Sequence, residues 1–367
     1  MIKYVGLGLK RSEAWLITGL TKHQFYHKPT GGKRGRKRSE ATLKVTESGF
    51  ITVDNTVVIE QIKDFHKDPD LCSGYKRMCA MLMLCGYIIN KKKVQRLMAE
   101  NDLLNPPVKR IGRNFARYRI VIPEGPLEVI EMDIKHIWID SEHRSAYILT
   151  AIDTFTRVVL SWQVGFTMKS YQVENMWKEV IENHLEPHGM RFKQLSIEVR
   201  NDNGPQFKSA IIQQFFKENY LNQVFTHPYT PQENGHIESF HKILSNALNP
   251  SYWSLTELEM RLNRFYEAYN TLRVHGSIAN LPPQMFWKLW DMQLIERKLL
   301  QNKKVRFILK CNVQDIPGII SQREHLAIKT GAKHTDVIKN GGTEITHAAI
   351  MNTPVYQSPS VTSCTTN

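Results

Sequence analysis

The 367-residue chain has no uninterrupted apolar run of 18 residues or more, so no transmembrane helix is expected. Its first residues carry charge and lack an apolar h-region, so no secretory signal is expected. Cysteine is scarce: Cys72, Cys79, Cys85, Cys311 and Cys364 are odd in number and form no CxxC pair. That argues against a disulfide framework or a zinc site and for free thiols in a reducing compartment. No segment repeats, and acidic residues are short in one region only. Residues 1–127 hold 24 Lys/Arg against 11 Asp/Glu, whereas residues 128–367 hold 25 against 24. Nearly the whole net charge of +14 therefore sits in the first third, which marks that third as the part that meets a polyanion.

What is present in that third is mostly helical. Residues 11–26 read as helix, turn, helix, with Ser12 and Thr21 as candidate N-caps. Residues 30–38 are a glycine-containing basic linker with Lys33, Arg34, Arg36, Lys37 and Arg38 placed to lie along phosphates. Residues 55–104 read as three helices. The first is amphipathic through Val57, Ile59, Ile62 and Phe65, the second ends at Gly86, and the third is capped by Asn90 and buried through Val94, Leu97 and Met98. A short helix, a glycine turn and a capped basic helix make a helix-turn-helix pattern. Lys91, Lys92, Lys93, Gln95 and Arg96 are expected to turn outward toward DNA.

The chain therefore divides into a basic helical segment and linker (1–45), a helix-turn-helix region (46–105) and a basic, proline-containing connector (106–127). An α/β domain (128–290), an extension with no assigned role (291–339) and a Ser/Thr/Asn/Gly-rich disordered tail (340–367) follow. In the α/β domain, strands are expected at 128–139, 146–152, 157–164, 194–199 and 223–226. Helices are expected at 170–184, 209–218, 254–271 and 284–301. That order gives a mixed sheet flanked by helices.

Three acids stand where chemistry needs them. Asp133 is in the middle of the first strand, where an acid is costly to bury without a cation nearby. Asp202 follows a strand and enters the turn Asn201-Asp202-Asn203-Gly204, at the strand end where open α/β sheets place ligands. Glu238 opens a helix after a proline turn. Singly, a turn Asp or a helix-start Glu is an ordinary structural residue. Converging, carboxylates are hard oxygen ligands for Mg²⁺ or Mn²⁺. Two such ions roughly 3.5–4 Å apart promote in-line phosphoryl displacement. Asp153 reads as a turn former, and His227, His236 and His241 as neighbours of the site.

The surrounding words make the set specific. Between Asp202 and Glu238 lie 35 residues, and YILTAIDTFTR at 147–157, NDNGPQF at 201–207, TPQENGHIESFH at 230–241 and YNTLRVH at 269–275 follow in order. With GYKR at 74–77 and NKKKVQRLM at 90–98, the chain resembles the OrfB-type transposases of the insertion sequence three family, whose catalytic core is similar to that of retroviral integrases. The resemblance implies a ribonuclease-H-like core behind an all-α helix-turn-helix region, with Asp133, Asp202 and Glu238 catalytic and holding Mg²⁺ or Mn²⁺, two ions in the full set. It implies cleavage and strand transfer of double-stranded DNA at element ends by a homo-oligomer in a bacterial cytoplasm, nucleoid-associated on DNA, with an upstream reading-frame product as a further partner. Many members carry Lys or Arg where this chain has Ser245; Lys242, four residues after Glu238, is assigned the similar DNA contact. A DNA-binding regulator with an inactive core, and an enzyme that cuts without rejoining, are the competing readings. The intact triad argues against the first.

Overall fold

The computed structural model describes residues 2–27, 38–106, 122–190, 197–226, 234–301 and 304–330. Three short helices open the chain: α1 (Ile2–Gly6), α2 (Arg11–Thr18) and α3 (Lys22–Tyr26). Thr21 caps α3 in a reciprocal capping box with Gln24. Ser12 does not cap, because α2 already begins at Arg11 after Lys10. A hairpin follows, β1 (Ala41–Thr46) and β2 (Gly49–Asp54), with Gly49 at φ 118° in its turn. The sequence reading missed this hairpin, and its boundary at 45/46 cuts through β1.

Next come α4 (Asn55–Lys67), α5 (Tyr75–Leu84), the short β3 (Tyr87–Ile88) and α6 (Lys91–Glu100). Asn90 caps α6 as expected, its side chain accepting from Lys93 N at 2.9 Å.

Beyond the connector the chain forms β4 (Val129–Ile139), β5 (Arg144–Asp153), β6 (Val159–Gly165), α7 (Ser170–Val180), β7 (Ile197–Asn201), α8 (Pro205–Lys208), α9 (Ala210–Glu218), β8 (Leu221–Phe225), α10 (Gly235–Ala247), β9 (Ser251–Tyr252) and α11 (Leu255–Thr271). The sheet order is β6-β5-β4-β7-β8, with β9 pairing the far end of β4. The first three strands form an antiparallel meander, while β7 and β8 add in parallel. This is the expected mixed sheet. Alternation along β4 sorts its side chains by face. Ile130 and Met132 pack with Trp177 of α7 and Phe216 of α9, while Ile137 and Ile139 pack with Phe240 of α10 and Phe265 of α11.

The chain then runs through α12 (Pro283–Asp291), a second hairpin β10 (Ile295–Leu299) and β11 (Val305–Leu309), and α13 (Ile319–Thr330). The expected helix 284–301 stops at Asp291. Gln293 turns to φ 57° and the apolar residues after it enter a strand rather than a further helical turn. The hairpin is seated by its Phe307, whose ring lies 5.1 Å from Phe155 and 4.9 Å from Phe286.

The helix-turn-helix region does not own its core. Val58, Ile62, Phe65, Leu82 and Leu97 share one buried cluster with Leu272, Phe286, Ile295, Ile316 and Leu326. Ionic contacts reinforce the joint. Buried Asp70, in the loop before α5, accepts from Arg261 Nη2 at 2.6 Å, and Arg273 donates to the Asp70 carbonyl. Truncating fully buried Phe286 removes a ring from the cluster that both parts share. Phe286→Ala is expected to cost about 3–5 kcal/mol. Far-ultraviolet dichroism and tryptophan fluorescence should then lose structure in one coincident denaturant transition at a lower midpoint. Two separate transitions would show that the helical unit folds alone.

Candidate active site

Asp133 lies on β4 two residues after Glu131, so both side chains stand on the face that α10 covers. Glu131 is fully buried. Its Oε2 accepts from the backbone N–H groups of His236 at 3.0 Å and Ile237 at 2.8 Å, and its Oε1 meets His236 Nδ1 at 2.8 Å. These amides belong to the first turn of α10, whose own N-cap residue, Asn234, makes no side-chain capping bond. A carboxylate from the sheet thus caps a helix from another part of the chain. Burial pushes the Glu131 carboxyl up to about 7, opposed by the Ile237 amide and the charges of Arg157 and Arg200.

Farther along the same helix, His241 Nδ1 stands 3.3 Å from Asp133 Oδ2. Glu238 lies one turn before His241 and is exposed, beside the buried contact line of Ile237, Phe240 and Leu244. Asp202 enters from the other side. β4 and β7 pair in parallel as Val129↔Glu198, Ile130↔Val199 and Glu131↔Arg200. Continued by two residues, that register brings position 202 level with Asp133. The exposed Asp202 carboxylate accepts from Gly204 N at 2.9 Å in its turn. The fold therefore brings Asp133, Asp202 and the helix of Glu238 to one edge of the sheet.

The donor set suits a hard divalent cation: carboxylate oxygens, with the buried His241 Nε2 atom beside them lacking a hydrogen-bond partner. Among the described residues, no group of three or more His, Cys, Asp or Glu side chains is gathered closely enough to hold an ion. The β4/β7 register and the α10 contact bring the acids toward one another without a closed ligand cage.

Glu131 is the site residue that sequence reasoning missed, although alternation on β4 already put it on the face of Asp133. Asp153 is the turn former expected, its buried carboxylate accepting from Thr156 N, Thr156 Oγ1 and Leu127 N. Asn270, within the YNTLRVH word, clamps β6 by accepting from Val159 N and donating to Val159 O. Lys242 is exposed, and Ser245 Oγ donates to the His241 carbonyl. His227 lies outside the described residues.

On the helix-turn-helix side, Lys91, Lys92 and Gln95 are exposed as expected. Lys93 and Arg96 are not turned fully outward. Lys93 Nζ donates to Ala41 O at 2.6 Å, while Arg96 donates to Ser39 O at 3.2 Å and pairs with Glu100 at 3.7 Å. The cause is the unforeseen hairpin, whose leading strand and the residues just before it lay carbonyls against α6. Arg38 is also engaged, pairing with Glu100 at 3.0 Å. Lys33, Arg34, Arg36 and Lys37 lie outside the described residues.

Comparison with known proteins finds matches in both parts of the chain. Two models described as "Integrase core domain" match residues 123–231 and 219–283, and an "HTH-like domain" matches residues 53–110. An uncharacterized 31.7 kDa protein of insertion element IS407 from Burkholderia multivorans is 27% identical over 58% of this chain and 74% of its own length. The putative transposase InsK for insertion sequence element IS150 from Escherichia coli is 25% identical over 57% of this chain and 75% of its own length. The HTLV-2 integrase catalytic core domain in complex with magnesium aligns over 43% of this chain and 94% of that one, at 20% identity and TM-score 0.30.

The chain thus carries an integrase core domain behind an HTH-like domain. Its relatives include transposases and proteins of bacterial insertion elements, in agreement with the resemblance to OrfB-type transposases of the insertion sequence three family.

If Glu131 holds the head of α10, its acceptor oxygens and not its charge should matter most. Glu131→Gln keeps an oxygen for the two amides. Glu131→Leu strands both and is expected to cost about 1–3 kcal/mol for the unsatisfied donors. Amide hydrogen exchange at His236 and Ile237 should accelerate in the Leu variant and stay near wild type in the Gln variant. Equal protection in all three proteins would show that something else fixes the helix.

Proposed function

We propose that this chain is a DDE transposase that cleaves DNA at the ends of a mobile element and joins them to a target in a reaction dependent on divalent metal. One observation carries the reading. Glu131 caps the helix that bears Glu238, from the same strand face that bears Asp133, while the β4/β7 register draws Asp202 alongside.

Asp133, Asp202 and Glu238 are the residues that would hold Mg²⁺ or Mn²⁺, two ions in the full set. When bound, such ions activate the attacking oxygen and stabilise the leaving one. The chain's own contribution is placement. Asp133 is fixed by a central strand, paired on one side with β5 and on the other with β7. His241 orients its carboxylate, and Glu131 fixes the azimuth and height of α10 and so of Glu238. Lys242, exposed on that helix, is the DNA contact nearest the acids in sequence.

Double-stranded DNA is the substrate in this reading, gripped by the HTH-like domain through Lys91, Lys92 and Gln95. Lys33, Arg34, Arg36 and Lys37 of the linker act as phosphate contacts. A homo-oligomer on paired ends and an upstream reading-frame product belong to the same proposal. Among the described residues no helix is long and apolar enough to cross a membrane.

Purified Asp133→Asn, Asp202→Asn and Glu238→Gln proteins are expected to cleave labelled element-end DNA at least about three orders of magnitude more slowly than wild type with Mg²⁺. Substantial cleavage by one of them would remove that residue from the site. Gln95 is exposed on α6 while Arg96 is engaged within the chain. Gln95→Ala should therefore reduce the preference for element ends over scrambled DNA by about 1–3 kcal/mol, and Arg96→Ala by less. Competition binding decides between them.

A further inference from the structure

The hairpin β10–β11 lies outside every matched family segment, and the sequence assigned it no role. It walls a cavity of about 600 Å³ against the first turns of α5 and α6, whose lining includes Lys76, Arg77, Lys91 and Arg306. A second cavity of about 280 Å³ shares Ser277, Val305 and Phe307 with the first, so the two adjoin. The second is lined further on by Lys304, Arg157 and His236. His236 is the residue whose backbone and ring meet Glu131 at the head of α10. A trough therefore runs from the HTH-like domain, along β11, to the helix that carries Glu238.

Its chemistry is one-sided. Among the described residues, no carboxylate lines either cavity. Lys76, Arg77, Lys91 and Arg306 are exposed, and none makes an ion pair among the described residues. The Nη1 atom of Arg157, at the inner end, is buried without a hydrogen-bond partner. The α6 N-terminus, capped at Asn90, adds its positive dipole end. Exposed cations in a concave surface with no carboxylate in its lining concentrate an anionic ligand. A length of connected cavity suits a chain of anions better than a single one.

We propose that this trough binds the phosphodiester backbone of DNA between the part held by the HTH-like domain and the part at the catalytic acids, with Arg306 of the C-terminal hairpin as a phosphate contact. The inference rests on the transposase reading above and deepens it by giving the C-terminal extension a role in substrate binding. Phosphate contacts carry no base information, so a random-sequence duplex reports on them.

The test uses the full chain and such a duplex, with affinity measured across a range of salt. Each phosphate contact contributes about 0.9 to the slope of log K against log salt. Arg306→Ala and Lys76→Ala should each flatten the slope by about one contact, and Arg306→Lys should restore it. Lys298→Ala, on the other hairpin strand and paired with Glu296, should leave it unchanged. If wild type binds and Arg306→Ala keeps the wild-type slope, the trough proposal is overturned while the transposase reading stands. A flattened slope for Lys76→Ala alone overturns the trough in the same way, since DNA would then stop at the HTH-like domain. A wild-type chain that binds no duplex at any salt overturns both.

Discussion

The arrangement of the site depends on one buried carboxylate. Glu131 stands in the middle of a sheet where a charge is costly, and its surroundings offset that cost with two backbone amides, an imidazole and the fields of Arg157 and Arg200. A helix start has amides that need an acceptor, and a buried acid needs donors. Joining the two fixes α10 to β4 at a single height. Asp133 is two residues from Glu131 and Glu238 one residue from Ile237, so the same bond sets both acids relative to each other. Packing of Phe240 and Leu244 against the sheet could slide by a helical turn at modest cost; directional bonds to Glu131 could not.

A second constraint acts at larger scale. The helices of the HTH-like domain share buried side chains with α12, β10 and α13, and Asp70 is held by Arg261 and, more loosely, by Arg264 and Lys329. The HTH-like domain is thereby oriented on the integrase core rather than tethered to it. The C-terminal extension is the packing element that makes this possible, since Ile295, Ile316 and Leu326 cover apolar surface that α4–α6 alone would expose. The charge split along the sequence suggested two separable modules. Charge counts where solvent is met, but the boundary of a folding unit is set by buried apolar area, which the split does not see.

Much of the catalytic core was legible because its strands alternate cleanly or run fully apolar and its turns carry Asn, Asp and Gly. The meander β4–β6 and the caps at Asn90 and Thr21 follow from such local rules. Three features were not legible. The β1–β2 hairpin is a short amphipathic ribbon stabilised partly by Lys93 reaching Ala41 O, a contact across 52 residues. Residues 294–300 have apolar spacing compatible with either helix or strand, and the partner strand β11 decides. Glu131 looked like one more acid next to Asp133, because nothing local reveals that a helix more than 100 residues away starts on top of it.

The polarity of the molecule follows from how its acids are spent. Residues 128–367 are nearly neutral overall, yet they contribute Arg157 and Arg306 to a trough whose described lining holds no carboxylate. Several acids are occupied elsewhere: Glu131 at the head of α10, Asp153 in its hairpin turn, Glu179 on Ser161 and Glu198 on Arg200. Each is held by donors of its own and none lines the two cavities. Net charge thus understates the field on that surface, because opposite charges separated by more than about a Debye length do not cancel locally. The acidic edge, with Asp133, Asp202 and Glu238, begins where the basic trough ends, since His236 is bonded to Glu131 and stands two residues before Glu238 on α10. A polyanion drawn along the cations is thereby delivered next to the acids, and that ordering of signs along the surface is what the proposed phosphodiester chemistry requires.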